Sequence, residues 1–207
     1  MISAMWTRSR SAIRIAATAV LCFQASVALA HVGQGDVSGG FVAGVEHPVF
    51  GLDHVVAMVA VGIWGAQLGQ PAIWLLPVTF PLVMSFGGIV GGLGVPIPGI
   101  EIGIALSAVI LGCMIAFAAK PPLWIAAVLV GTFAICHGYA HGAEFPDSAN
   151  AIAFAAGFVV ATGTLHALGI LIGVANKWRR GGHVLRVIGG GVAACGLYFL
   201  GTHFVGG

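Results

Sequence analysis

The sequence predicts an all-α fold, a polytopic membrane helix bundle with six transmembrane helices after a cleaved signal peptide. Three observations carry that prediction. Hydrophobic residues make up 59% of the chain and charged residues only 7%, whereas a soluble domain carries about 25% charged residues. The apolar residues run in stretches of about 20, the length that crosses the hydrocarbon core as a helix. The Lys and Arg residues beyond position 30 all fall on one side of those stretches.

Residues 1–30 are set apart from the fold. Arg8, Arg10 and Arg14 form a positive n-region, residues 15–23 an apolar h-region, and Ala28-Leu29-Ala30 a small-residue cleavage site, the pattern of a secretory signal peptide. An uncleaved extra span is the alternative reading. Cleavage after Ala30 makes His31 the mature N-terminus, on the outer face, and leaves residues 31–207 as a single transmembrane domain.

Residues 39–46 are apolar but too short to cross. They are expected to form an interfacial or re-entrant half-helix broken at Pro48, because proline disfavours helix at the preceding residue, His47. Six spans follow, at 51–69, 72–93, 100–119, 122–141, 149–175 and 183–205. Gly65 and Gly69, Gly87 and Gly91, Gly88 and Gly92, and Gly169 and Gly173 recur at spacing four, as expected of helices packed closely in lipid. With the mature N-terminus outside, the inner loops hold Gln70, Lys120, Lys177, Arg179, Arg180 and Arg186. The outer segments hold Asp36, Glu46, Glu101, Glu144 and Asp147. That distribution follows the positive-inside rule and puts both mature termini outside.

Composition and motif content exclude several function classes. A net charge of +2, confined to loops, offers no face for nucleic acid, and no GxxxxGK[ST] stretch is present to hold ATP phosphates. Cys113, Cys136 and Cys195 fall in or beside apolar spans without CxxC spacing and read as packing residues.

Two polar clusters remain. HPVFGLDH, residues 47–54, sets His47, Asp53 and His54 at the outer mouth of the first span, where ionisable side chains are costly and usually functional. CHGYAHGAE, residues 136–144, places His137, His141 and Glu144 at i, i+4 and i+7, on one helix face. Both clusters reach the same membrane level. Imidazole with carboxylate is the ligand set of divalent transition metals, notably Ni, Co, Zn or Cu. A polar network that only ties helices together is the structural alternative. Met58 lies one turn deeper than His54. His166 stands on the inner half of the fifth span, as a relay station or a hydrogen-bonded structural residue. Glu101 either joins the site or favours a helix N-terminus. His31 either binds metal through its free amine and ring or frays. His183 and His203 sit at span ends and read as structural.

HPVFGLDHVVAMVAVG and HGYAHGAE resemble the two signature stretches of the HupE/UreJ family of bacterial membrane proteins, and the resemblance covers most of the mature chain. It implies secondary permeation of nickel, in some members cobalt, for hydrogenase or urease maturation. It further implies His47, Asp53 and His54, with His137, His141 and Glu144, as the metal residues. No resident cofactor is expected, the metal being cargo. The expected partners are the lipid bilayer, the transition-metal ion and, functionally, hydrogenase or urease accessory proteins. The expected location is the bacterial inner membrane. Two other classes use the same ligands. A membrane metal sensor or assembly scaffold would bind without moving the ion. An intramembrane metalloenzyme would need a base, yet Gly138 occupies the position of the catalytic Glu in HExxH.

Overall fold

The computed structural model of the protein describes residues 37–144 and 150–205. The expected signal peptide, His31, Asp36 and Asp147 lie outside the described residues. Among those described, every regular element is helical. The helices are α1 (Val37–Phe50), α2 (Leu52–Leu68), α3 (Ala72–Gly92), α4 (Ile100–Ala116), α5 (Leu123–Ala143), α6 (Ala151–Gly173, prolonged by a 3-10 turn over Val174–Lys177) and α7 (Gly181–Val205).

Each expected span coincides with one helix, α2 to α7, but the helices differ in reach. Four are long and apolar enough to cross a membrane: α3, α5, α6 with its 3-10 extension, and α7. At 17 residues each, α2 and α4 extend about 26 Å at 1.5 Å per residue, short of a hydrocarbon core of about 30 Å. Together with α1, from which it is bent by 82°, α2 forms a pair long and apolar enough for a broken span or a re-entrant loop. The described residues thus contain four spanning helices, or five with the broken pair, and six span-like segments.

The expected break at Pro48 is displaced. α1 runs through Pro48 and ends at Phe50, and the chain turns at Gly51, which is extended (φ −82°, ψ 102°) and caps α2. Pro48 lies in the last turn of α1. Its missing N–H there costs one bond, to the Gly44 carbonyl, without interrupting a helix about to end.

α2 is the centre of the bundle and touches α1, α3, α4, α6 and α7. Most of its apolar surface beyond the first turns is buried, through Ala57, Met58, Ala60, Val61, Ile63 and Trp64, as expected of a helix without a polar face. α3 packs most extensively on α5, α4 on α7, and α1 on α6. The α3–α5 contact is backbone on backbone. A Cβ added at Gly138 or Gly142 would run into the carbonyl oxygen of Met84 or Gly88, and one at Gly87 or Gly91 into that of Ile135 or Tyr139. Small residues allow this approach, which in lipid replaces the hydrophobic force as the source of association.

Successive helices from α2 onward alternate in direction. The N-terminal ends of α2, α4 and α6 and the C-terminal ends of α5 and α7 share one end of the bundle. At the other end, Trp64 Nε1 donates to the Ala119 carbonyl at 3.1 Å, Gln67 Nε2 to Ile115 at 3.3 Å and Arg186 Nε to Ala116 at 2.8 Å. Arg186 thereby satisfies a final-turn carbonyl of α4 that lacks a helical donor, while the Ile115 carbonyl accepts the Ala118 backbone N–H as well as Gln67.

Candidate metal centre

Four imidazoles from three helices meet at the first of these ends. His54, in the first turn of α2, packs against His137 and His141 of α5, with ring centroids 4.6 and 4.3 Å away. His47, in the last turn of α1, packs edge-on to His141 at 4.7 Å, and its Nε2 lies 3.7 Å from Glu144 Oε2. The break at Gly51 folds α1 back so that His47 and His54 reach the same α5 histidine. Gly51 serves a second purpose there, since a Cβ at that position would stand 2.8 Å from His54 Nδ1 and 3.1 Å from Asp53 Oδ1.

The hydrogen bonds fix which nitrogen of two rings is bare. Asp53 Oδ1 lies 2.8 Å from His54 Nδ1 and also accepts the His54 backbone N–H at 2.9 Å. A carboxylate can only accept, so Nδ1 carries the proton and Nε2 keeps the lone pair. His137 Nε2 lies 2.9 Å from Ser107 Oγ on α4, and that hydroxyl donates its one proton to the Ile104 carbonyl at 2.6 Å. With that hydroxyl directed to Ile104, Ser107 accepts from His137, an assignment that puts the proton on Nε2 and leaves Nδ1 bare. His54 Nε2, His137 Nδ1 and both nitrogens of His141 are buried without a hydrogen-bond partner among the described residues. Unpaired buried polar atoms are uncommon in native structures and call for an explanation such as an ion.

As they stand, the rings pack edge-on or tilted against one another. Among the described residues no three His, Cys, Asp or Glu side chains converge on a common point. Taking up an ion therefore requires the rings to turn about their side-chain torsions. Phe154 and Phe158 of α6 wall the cluster, at 5.5 Å from His47 and 4.5 Å from His141.

The remaining sequence candidates are placed apart. His166 is buried on α6 and separated from the cluster by the ring of Phe80, which lies 5.6 Å from His137 and 5.3 Å from His166. Neither nitrogen of His166 makes a well-formed hydrogen bond. Its backbone neighbour is the Pro77 carbonyl, which Pro81, four residues on, leaves without a helical donor. Met58 is fully buried in the apolar core. Glu101 does not join the imidazoles but shares a cavity with Asp53. His31 lies outside the described residues.

Ser107 and Phe80 were not legible as site residues. Ser107 is the one hydroxyl in α4, a signal that could have singled it out. Phe80 is one of many phenylalanines, and nothing in its local sequence marks it.

Comparison with known proteins agrees with the sequence resemblance. Residues 18–199 match the family described as HupE / UreJ protein. The chain is 45% identical over 175 residues to Protein HupE of Rhizobium leguminosarum bv. viciae, covering 84% of this chain and 91% of the relative. No solved structure matches. A family match over most of the chain, with this degree of identity to a relative covered almost end to end, makes the protein a member of the HupE/UreJ family.

Proposed function

We propose that this protein is a secondary, ATP-independent permease for a divalent transition metal, nickel foremost and cobalt after it. It would act in the bacterial inner membrane, with both mature termini on the periplasmic side, to supply hydrogenase or urease maturation. The observation that carries the reading is the preparation of two imidazoles from opposite sides. Asp53 and Ser107 direct the bare nitrogens of His54 and His137 to the buried cluster that His47 and His141 complete. Partners of this kind orient metal-binding histidines and raise their basicity. Imidazole with carboxylate suits nickel and cobalt, whereas calcium and magnesium take all-oxygen sites.

The same arrangement suits passage rather than storage. A permeation site must bind strongly enough to select and weakly enough to release, and unconverged imidazoles without thiolate meet both demands. Beyond the cluster, Phe80 bars the direct line to His166, so its ring must tilt for an ion to move inward. The exit lies toward Lys120, Lys177, Arg179, Arg180 and Arg186, whose charge disfavours cation return. The HExxH pattern of a metalloprotease is not met, since Gly138 stands where its catalytic Glu would and packs against α3.

The test is nickel binding to purified protein alongside nickel entry into proteoliposomes without ATP. Entry above that of empty vesicles is expected. His54→Ala and His141→Ala should each nearly abolish binding and entry, and the double variant should be little worse, because groups acting as one unit are not additive. His166→Ala should slow entry while leaving capture largely intact. Binding without entry in folded wild-type protein would replace the permease with a scaffold or sensor.

A further inference from the structure

Thr162 of α6 is fully buried, and its hydroxyl has no hydrogen-bond partner among the described residues. A threonine inside a helix ordinarily has an acceptor at hand, the carbonyl three or four residues back. Thr164, two residues on, donates to the Val160 carbonyl at 2.7 Å, and Thr132 of α5 donates to that of Val128 at 2.9 Å. The buried Ser107 likewise bonds Ile104. Thr162 leaves the Phe158 carbonyl unused. An unpaired buried hydroxyl is costly, so a side chain turned from its own helix calls for a partner from elsewhere.

The register of α6 says where that partner passes. Phe158, Thr162 and His166 follow one another at intervals of four, along one helix face, each about 6 Å further along the axis. Phe158 packs against His141 of the outer cluster, at 4.5 Å. His166 lies on the far side of Phe80. Thr162 is therefore level with the step between the two imidazole positions.

His166 is buried too, at 2% exposure, and neither of its nitrogens bonds Thr162, although the two side chains are one turn apart. Beside its ring stands the Pro77 carbonyl, freed because Pro81, inside the same helix, has no N–H to offer it. An imidazole N–H turned toward that oxygen leaves the second nitrogen with its lone pair. Asp53 and Ser107 do the same for His54 and His137. The Thr162 oxygen adds lone pairs one turn nearer the cluster. No Lys, Arg, Asp or Glu occurs in α3 or α6, so no fixed charge on either helix competes for these atoms.

We infer that Thr162 is a metal-binding residue. Its hydroxyl oxygen and the bare nitrogen of His166 form an inner station for the divalent transition ion after it leaves the outer imidazoles. The Pro77 carbonyl positions the ring. This assignment rests on the permease reading and adds a ligand to its inner half. One neutral nitrogen and one neutral oxygen, without carboxylate, hold the ion more weakly than the cluster does. A site that must pass its ion onward needs that weakness.

Thr162→Val keeps the shape of the side chain and removes the oxygen. In protein shown folded by its helical circular dichroism, its thermal midpoint should equal or exceed that of wild type, because a methyl replaces an unpaired hydroxyl. Nickel capture by the purified variant should be unchanged, while initial entry into proteoliposomes should fall about tenfold, as loss of one polar partner of a charged group predicts. Thr162→Ser should restore entry, and Thr164→Val on the exposed face should not alter it. A second readout needs no transport. With the four native cysteines replaced by alanine, Thr162→Cys should give a thiolate-to-cobalt charge-transfer band in the near ultraviolet on addition of cobalt(II). Adding His166→Ala should remove the band, and Thr164→Cys should not produce it. Wild-type entry by Thr162→Val, no band in Thr162→Cys, or a band that survives His166→Ala would each overturn the station. Wild-type nickel entry without the band keeps the permease and removes the station, and the band in protein that passes no nickel does the reverse.

Discussion

Ser107 has one proton and gives it to Ile104, and that fixes the tautomer of His137 30 residues away. Ser107→Ala would leave a buried imidazole N–H unpaired and free the ring to take the other tautomer. The expected result is a 10- to 100-fold loss of nickel affinity, about the size seen when second-layer partners of metal ligands are removed. Titration calorimetry on the purified variant checks it, and wild-type affinity would show that the tautomer does not matter. At this scale the sequence was legible where chemistry is concentrated. HPVFGLDH and HGYAHGAE display their imidazoles and carboxylates in a few residues, and the structure brings those side chains together. It was not legible where one ordinary residue acts across the bundle. Ser107 and Phe80 acquire their places only through helix packing, which no local spacing encodes.

Between elements, the glycines of the second motif have a purpose distinct from its histidines. His137 and His141 face the cluster, while Gly138 and Gly142, one residue on, face α3 and let the backbones touch. The repeat of His-Gly at spacing four thus encodes two faces of α5. Gly138→Ala should lower stability by about 1–3 kcal/mol, the usual cost of overpacking, seen as a lower thermal unfolding midpoint in detergent. Gly163, whose added Cβ meets nothing within 4 Å, is the control. Alanine there should leave the midpoint unchanged or raise it, since glycine costs a helix about 0.5–1 kcal/mol relative to alanine. The spacing of Gly87 and Gly91 already announced close packing, although not which helix would fill the gap. Pro48 misled for a local reason. The rule that proline ends a helix before itself yields when the helix has only one turn left to run.

For the molecule as a whole, charge was the most informative feature of the sequence. The basic residues beyond position 30 and the carboxylates of the two motifs lie at opposite ends of the bundle, as the loops implied. Helix reach was less legible, because hydropathy reports how apolar a stretch is and not where its hydrogen bonding stops. The stretch 100–119 reads as a full span, yet α4 closes at Ala116, and Ala118 adopts a left-handed backbone (φ 50°) before Lys120. α2 and α4 are consequently shorter than α3, α5, α6 and α7.

That single aromatic ring between His137 and His166 has an electrical consequence. Contacts of 5.6 and 5.3 Å to either side of Phe80 limit the step between the two imidazoles to roughly a third of the ~30 Å hydrocarbon depth. A doubly charged ion crossing a third of the field gains about 1.5 kcal/mol for each 100 mV of membrane potential. A voltage negative inside, imposed by potassium and valinomycin, should therefore speed nickel entry into vesicles by at most about tenfold per 100 mV if that step is limiting, because the barrier top lies part-way along it. Entry indifferent to voltage would place the slow step elsewhere, at the hydrated mouth. Entry that rises with voltage would make the membrane potential the energy source of the proposed permease in place of ATP.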